Sequence, residues 1–178
     1  MRTARTAVIV FCLAAIAGAQ SGAQSKQFVR PLPGQTPPYS LGIKAGGVIY
    51  VSGQLPTDEK GNLVAGDFAA QAKQVFDNLR YVLGQAGASL DSIVASTVML
   101  QNASDFPALD QIYRQQFKGE LPARTTVIGE MVRAGALLEI QVTAVPTGAE
   151  RMAILPTGWM KPTSPYNYAI KSGDTLYM

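Results

Sequence analysis

The chain has 178 residues, 47% of them hydrophobic, with 15 basic and 12 acidic side chains, no histidine and one cysteine. Without histidine, neither a serine–histidine–aspartate triad nor a zinc site with imidazole ligands can form. The formal charge of +3 falls by two once the two arginines of residues 1–23 are set aside, so the composition indicates no nucleic-acid partner.

Residues 1–23 have the layout of a secretory signal peptide. Two arginines precede an apolar run over residues 7–17, and Ala17-Gly18-Ala19 offers small residues for cleavage. The run has 11 residues, whereas a transmembrane helix needs about 20. We therefore predict an exported protein with no stable membrane span, whose mature chain lacks Cys12. A disordered apolar tail is the alternative.

The patterning of the following residues predicts five strands and two helices. Gly46 and Gly47 mark a hairpin turn between the first two strands. Asp67 is a good N-cap for a helix whose apolar residues recur at helical spacing up to Gly84. Ser104 is expected to cap a second helix, with Pro107 in its first turn. The predicted strands are Ser40–Lys44, Val48–Gln54, Ile93–Leu100, Arg124–Ile128 and Leu137–Val145.

This β-β-α-β-α-β-β order predicts an α+β fold with both helices on one face of the sheet. After it, the chain repeats the beginning of the predicted domain. Residues 38–51 and 165–178 are identical at six of 14 positions, at a constant offset of 127, where chance supplies about one identity.

We therefore predict a domain over residues 30–146, a linker over 147–153 and the truncated start of a second copy over 154–178. A fortuitous strand-like tail is the alternative. These last residues cannot bury a core of their own, so we expect residues 154–178 to be poorly ordered or to lie against the first domain as a loose edge.

One arginine stands at the start of a predicted strand, in the segment Leu121-Pro122-Ala123-Arg124-Thr125-Thr126-Val127. A guanidinium is planar and permanently charged, which suits it to hold a carboxylate by two parallel hydrogen bonds. An arginine in this position is also compatible with a surface or interface ion pair.

Together with Tyr50-Val51-Ser52-Gly53-Gln54-Leu55-Pro56 and Leu138-Glu139-Ile140-Gln141-Val142, this segment resembles the reactive intermediate deaminase (RidA, or YjgF-type) family. The resemblance runs from about Pro31 to Val145. It implies a ferredoxin-like, chorismate-mutase-like fold that assembles as a homotrimer with small-molecule clefts between subunits. It also implies that Arg124 holds the carboxylate of a 2-imino or 2-enamino acid while water attacks the C=N carbon.

The resemblance implies five further site residues. Tyr39 and Ser52 would line the cleft and bind substrate, although strand-end geometry with a local hydrogen bond explains Ser52 equally well. Gln141 replaces a glutamate that commonly orients or activates the water, and an amide cannot accept the proton of that water. Thr126 and Asp110 replace a cysteine and an asparagine. Asp110 would either oppose a substrate carboxylate or serve as the missing base, although a solvated helix residue is the simpler expectation.

The leading hypothesis is an exported deaminase that hydrolyses C=N bonds of 2-imino or 2-enamino acids and releases ammonia, without cofactor or metal. The first alternative is a homotrimer that binds a small 2-imino or 2-keto acid with weak turnover or none, which Gln141 favours. The second is a structural or interaction protein in which Arg124 braces subunits. Ribonuclease activity, also credited to the family, is not expected of a chain without histidine or a basic, aromatic-rich face.

Overall fold

The computed structural model describes residues 25–31 and 37–178. The predicted signal peptide over residues 1–23, with Cys12, lies outside the described residues. Within the part that is described, no helix is both long enough and apolar enough to cross a membrane.

The described residues form two sheets and two helices. The elements are β1 (Gln27–Val29), β2 (Gly42–Ala45), β3 (Val48–Gln54), α1 (Phe68–Gln85), β4 (Ile93–Leu100), α2 (Phe106–Gln116), β5 (Ala123–Ile128), β6 (Leu138–Ala144), β7 (Met152–Ile154), β8 (Ala169–Ser172) and β9 (Thr175–Tyr177). The first sheet has the order β1-β2-β3-β6-β4-β5, in which β4 and β5 pair in parallel. The predicted α+β order is confirmed from β2 to β6, and the short strands β1 and β7 are additions that patterning did not predict.

Both helices pack on the first sheet through apolar stripes. Asp67 caps α1 as predicted, because its carboxylate accepts a hydrogen bond from the backbone N–H of Ala70 at 2.9 Å. Buried side chains of α1 join those of α2, β3, β4 and β6 in one core. Burial of each large apolar side chain contributes about 1.5–3 kcal/mol. The members from the helices include Val75, Phe76, Leu79, Val82, Leu83, Leu109 and Tyr113.

The predicted cap of α2 is wrong by one residue. Ser104 lies within a single 3₁₀ turn, Ala103–Asp105, that precedes the helix. Asp105 is therefore the N-cap residue, and its side chain makes no capping hydrogen bond. Pro107 stands in the first turn as predicted, where its missing N–H costs nothing.

Residues 152–178 form the second sheet, of order β7-β8-β9, and it packs against the first. Ile170 is fully buried in a small separate core with Val94, which lies at the start of β4, and Val145, which follows β6. The backbone N–H of Asn167 donates to the carbonyl of Pro122 at 3.0 Å, beside the edge strand β5. Residues 152–178 are thus docked beside β5, the edge strand that carries Arg124.

Candidate functional site

The sheet register decides where the side chain of Arg124 lies. Arg124 is the partner of Ser96 on β4, and Ser96 is in turn the partner of Val142 on β6. Directly opposed residues of neighbouring strands point to the same face of a sheet. Because Val142 belongs to the core under the helices, Arg124 also points to the helix-bearing face.

The guanidinium of Arg124 is paired and almost fully buried. Its Nη2 lies 2.6 Å from Oδ1 of Asp110 on α2, and the two side chains are 1% and 21% exposed. The expectation that Asp110 is a solvated helix residue is therefore wrong. An ion pair of this kind offsets the large cost of removing a charge from water.

Three aromatic rings surround the same guanidinium. Its Cζ lies 4.9 Å from the ring centroid of Tyr113, 5.5 Å from that of Phe106 and 5.7 Å from that of Tyr166. Phe106 and Tyr113 belong to α2, whereas Tyr166 comes from the segment before β8. Rings at these distances attract a cation and also exclude water from it.

Two nitrogens of the guanidinium are buried without a hydrogen-bond partner among the described residues. They are Nε and Nη1 of Arg124. A buried donor without an acceptor is costly, so this site favours an added anionic acceptor. In the described ranges, His, Cys, Asp and Glu side chains form no group of three or more suited to a metal ion.

Tyr113 links α2 to the start of β5 through hydrogen bonds. Its hydroxyl lies 2.7 Å from Oγ of Ser96, which donates to the carbonyl of Ala123 at 3.3 Å. Burial raises the pKa of Tyr113 to about 12, although the hydrogen bond to Ser96 and the charge of Arg124 act in the opposite direction. Tyr113 is therefore a neutral support beneath Arg124.

Thr126 and Gln141 take different positions relative to Arg124. Thr126 lies two residues further along β5 and so on the same face. Gln141 is exposed, and its register partner Thr97 is also the partner of Thr125. Gln141 therefore belongs to the opposite face of the sheet, and within one chain the structure does not bring it to Arg124.

Tyr39 and Ser52 lie in a different part of the chain from Arg124. Tyr39 is 55% exposed and lines a cleft of about 500 Å³ whose lining does not include Arg124. The hydroxyl of Ser52 donates to the carbonyl of Leu41 at 3.1 Å and accepts from Nε2 of Gln54 at 3.1 Å. Within one chain, Ser52 thus holds the β2–β3 region together.

Two tyrosines reach Arg124, and neither is among the predicted site residues, although the sequence contained a signal for one of them. It is Tyr166, and the repeat contained the signal, because the offset of 127 residues relates Tyr39 to Tyr166. Phe106 and Tyr113 lie on the apolar face of α2, and helical spacing alone gives no reason to place them against a cation.

The family described as "Endoribonuclease L-PSP" (Ribonuc_L-PSP) matches residues 31–146. The chain belongs to this family, which includes the RidA and YjgF-type proteins. The resemblance predicted from the three segments is thereby confirmed.

Over the aligned residues, curated relatives are more than a third identical to this RidA-family chain. The 3-aminoacrylate deaminase RutC of Acinetobacter baylyi is 39% identical over 118 residues, which is 64% of this chain and 94% of the relative. The human 2-iminobutanoate/2-iminopropanoate deaminase is 36% identical over 114 residues, which is 64% of this chain and 83% of the relative.

Solved structures share the fold of the first sheet and its helices. The Rid-family protein YyfA of Yersinia pestis superposes with a TM-score of 0.64 at 38% identity, over 68% of this chain and 99% of that one. TdcF of E. coli, solved with bound serine, superposes with a TM-score of 0.62 at 28% identity, over the same shares of the two chains.

The raised pKa of Tyr113 predicts a specific alkaline loss of stability. The folded state favours the neutral phenol, so its contribution is complete below about pH 10 and is lost as the pH rises towards about 12. For one buried tyrosine this amounts to at most about 3 kcal/mol. Tyr113→Phe should remove that part of the pH dependence, measured as the free energy of unfolding in urea.

Tyr50→Phe, at an exposed tyrosine, is the matched control and should retain the pH dependence of the parent. Equal slopes for the parent and Tyr113→Phe would contradict the assignment.

Proposed function

We propose that this protein is a deaminase that hydrolyses small 2-imino or 2-enamino acids to 2-keto acids and ammonia. The observation that carries the proposal is the guanidinium of Arg124, buried among aromatic rings with two N–H-bearing nitrogens unpartnered. The human relative is named a deaminase of 2-imino acids, and the bacterial relative a deaminase of 3-aminoacrylate, a small enamino acid with its nitrogen on C3; both names support a small imino or enamino acid as substrate.

Binding would begin with an exchange of anions at Arg124. In the absence of substrate, Asp110 neutralises the guanidinium at 2.6 Å. The substrate carboxylate would take over this charge, helped by donors that Asp110 leaves unused. The similarity to TdcF with bound serine, a small molecule with a carboxylate, supports such a site.

The chemical step needs only water. Water adds to the carbon of the C=N bond, and one of its protons passes to the nitrogen to give a carbinolamine. The hydroxyl proton of the carbinolamine then moves to the nitrogen, and the C=O bond forms as the C–N bond breaks and ammonia leaves. An enamino acid first becomes the imine by moving one proton from nitrogen to carbon. Positioning of the substrate and the charge of Arg124 supply the acceleration, since Gln141 can accept no proton.

Loss of the arginine should abolish this acceleration. In a coupled assay that generates 2-iminopropionate in situ, we expect Arg124→Ala to lower kcat/KM by about 10²-fold or more. Arg124→Lys should recover only part of the rate, because an ammonium lacks the fork of a guanidinium. Arg80→Ala, at an exposed arginine paired with Asp77, is the matched control.

If the parent chain binds 2-oxobutanoate through Arg124 but does not exceed the rate in buffer, it is a carboxylate-binding relative and not a deaminase. If Arg124→Ala retains the parent rate, the proposed site is wrong.

Removal of the competing carboxylate should strengthen binding. Asp110→Asn keeps the shape of the side chain but leaves the charge of Arg124 uncompensated, so we expect the Kd for 2-oxobutanoate to fall about tenfold. Asp77→Asn, at an exposed carboxylate paired with Lys73 and Arg80, should leave the Kd unchanged. Isothermal titration calorimetry measures both constants.

Weaker binding in Asp110→Asn would show that the carboxylate positions Arg124 and does not compete with substrate. Tighter binding together with a large fall in kcat would assign Asp110 the role of proton acceptor.

We also propose that the protein is exported, on the basis of residues 1–23. Two arginines, an apolar run of 11 residues and a small-residue segment support a cleaved leader. Mass spectrometry of the protein from a bacterial host should then find it outside the cytoplasm, with an N-terminus within residues 18–24. Recovery of the uncleaved chain from the cytoplasm alone would contradict export.

A further inference from the structure

The two members of the Arg124–Asp110 ion pair are not equally accessible to solvent. The side chain of Arg124 is 1% exposed, whereas that of Asp110 is 21% exposed. The guanidinium belongs to β5 and the carboxylate to α2. A molecule that approaches from solvent therefore meets the negative member of the pair before the positive one.

One of the two carboxylate oxygens of Asp110 is available to a ligand. Oδ1 accepts a hydrogen bond from Nη2 of Arg124 at 2.6 Å. Oδ2 accepts no hydrogen bond from the described residues, and it is not among their buried side-chain atoms that lack a partner. Oδ2 is thus open to solvent, where it can accept a hydrogen bond from a donor that a ligand brings.

No second cation of the described chain is paired with Asp110. Arg124 is its only ion-pair partner among the described residues. Arg114, one turn further along α2, instead donates to the carbonyl of Thr163 at 3.0 Å. When the carboxylate of a ligand takes over Arg124, Asp110 is therefore left beside it with a negative charge that lacks a partner.

A ligand that is only an anion would thus give the site an excess negative charge. One guanidinium would face two carboxylates in a place that aromatic rings shield from water. Like charges this close disfavour each other, and the repulsion is stronger where water is excluded. A ligand with a positive charge next to its carboxylate removes the excess.

A protonated nitrogen on C2 of a small carboxylic acid supplies that charge in the right place. In a 2-imino or 2-amino acid, this nitrogen is bonded to the carbon next to the carboxylate. Oδ1 of Asp110 and Nη2 of Arg124 lie only 2.6 Å apart, so one small ligand can contact both side chains. Its N–H would donate to Asp110 in a charge-assisted hydrogen bond while its carboxylate accepts from Arg124.

We infer that Asp110 determines the ligand specificity of this site by recognising a protonated nitrogen on C2, so that zwitterionic 2-iminium and 2-amino acids bind in preference to simple carboxylates. The family resemblance implies an asparagine at this position, and a neutral amide would not confer the preference. Recognition of the charged nitrogen rests on the ion pair alone. That the iminium form of the substrate is the zwitterion bound during turnover rests on the proposed function.

The test compares two ligands that differ only at C2. L-2-Aminobutanoate and butanoate have the same carbon chain and carboxylate, but only the former carries an ammonium group. In isothermal titration calorimetry, we expect the parent chain to bind L-2-aminobutanoate about tenfold more tightly than butanoate, or better. Equal Kd values, or tighter binding of butanoate, would overturn the inference.

Asp110→Asn should erase the preference, because the amide keeps the shape of the side chain and loses its charge. The Kd for butanoate should fall, while the Kd for L-2-aminobutanoate should stay the same or rise, so that the two constants become about equal. Asp110→Glu retains the charge and should retain part of the preference. Asp77→Asn, at an exposed carboxylate of α1, is the matched control and should retain all of it.

The ratio of the two Kd values distinguishes recognition of the nitrogen from support of the fold. Disturbed structure around Arg124 would weaken both ligands alike and leave their ratio unchanged. A folded Asp110→Asn variant with the ratio of the parent would therefore overturn the inference. If this variant does not fold, the comparison of the two ligands in the parent chain still decides.

The same measurements separate the inference from the proposed function. If the preference for L-2-aminobutanoate follows Asp110 but no variant exceeds the rate in buffer with 2-iminopropionate, the inference stands and the deaminase proposal fails. If turnover depends on Arg124 but the parent does not prefer L-2-aminobutanoate to butanoate, the deaminase proposal stands and the inference fails.

Discussion

Burial of the guanidinium of Arg124 constrains one whole end of this molecule. A permanent charge can be removed from water only if ion pairs, hydrogen bonds or aromatic faces replace its hydration. Here Asp110 supplies the charge, and rings from α2 and from the segment before β8 supply the faces. The start of β5, the position of α2 and the docking of residues 152–178 all meet at this one group.

This arrangement shields Arg124 from solvent but leaves part of its hydrogen-bonding capacity unused. Asp110 and Tyr166 cover Arg124, yet Nε and Nη1 have no partner among the described residues. A buried cation with unused donors in a water-poor setting interacts strongly with any anion that reaches it. The same features that stabilise Arg124 in the resting protein therefore suit it to select a small carboxylate.

The two hairpins show how context decides the role of a repeated sequence. They share register and turn geometry, so their local structure follows from their own residues. Their surroundings differ, because one lies within the first sheet between β1 and β6 and the other packs beside β5. Tyr39 and Tyr166 are equivalent by position in the repeat, but of the two only Tyr166 contacts Arg124 within the described chain.

The sequence by itself determined the features that depend on neighbours along the chain. Alternation and helical spacing predicted the elements from β2 to β6, the cap at Asp67 and a strand containing Arg124, because each depends on a few consecutive residues. The tertiary structure alone decided which distant residues meet. It joined Arg124 to Asp110 and Tyr166, and it separated Gln141 from Arg124 by turning them to opposite faces, since packing and register bring residues together irrespective of their distance in sequence.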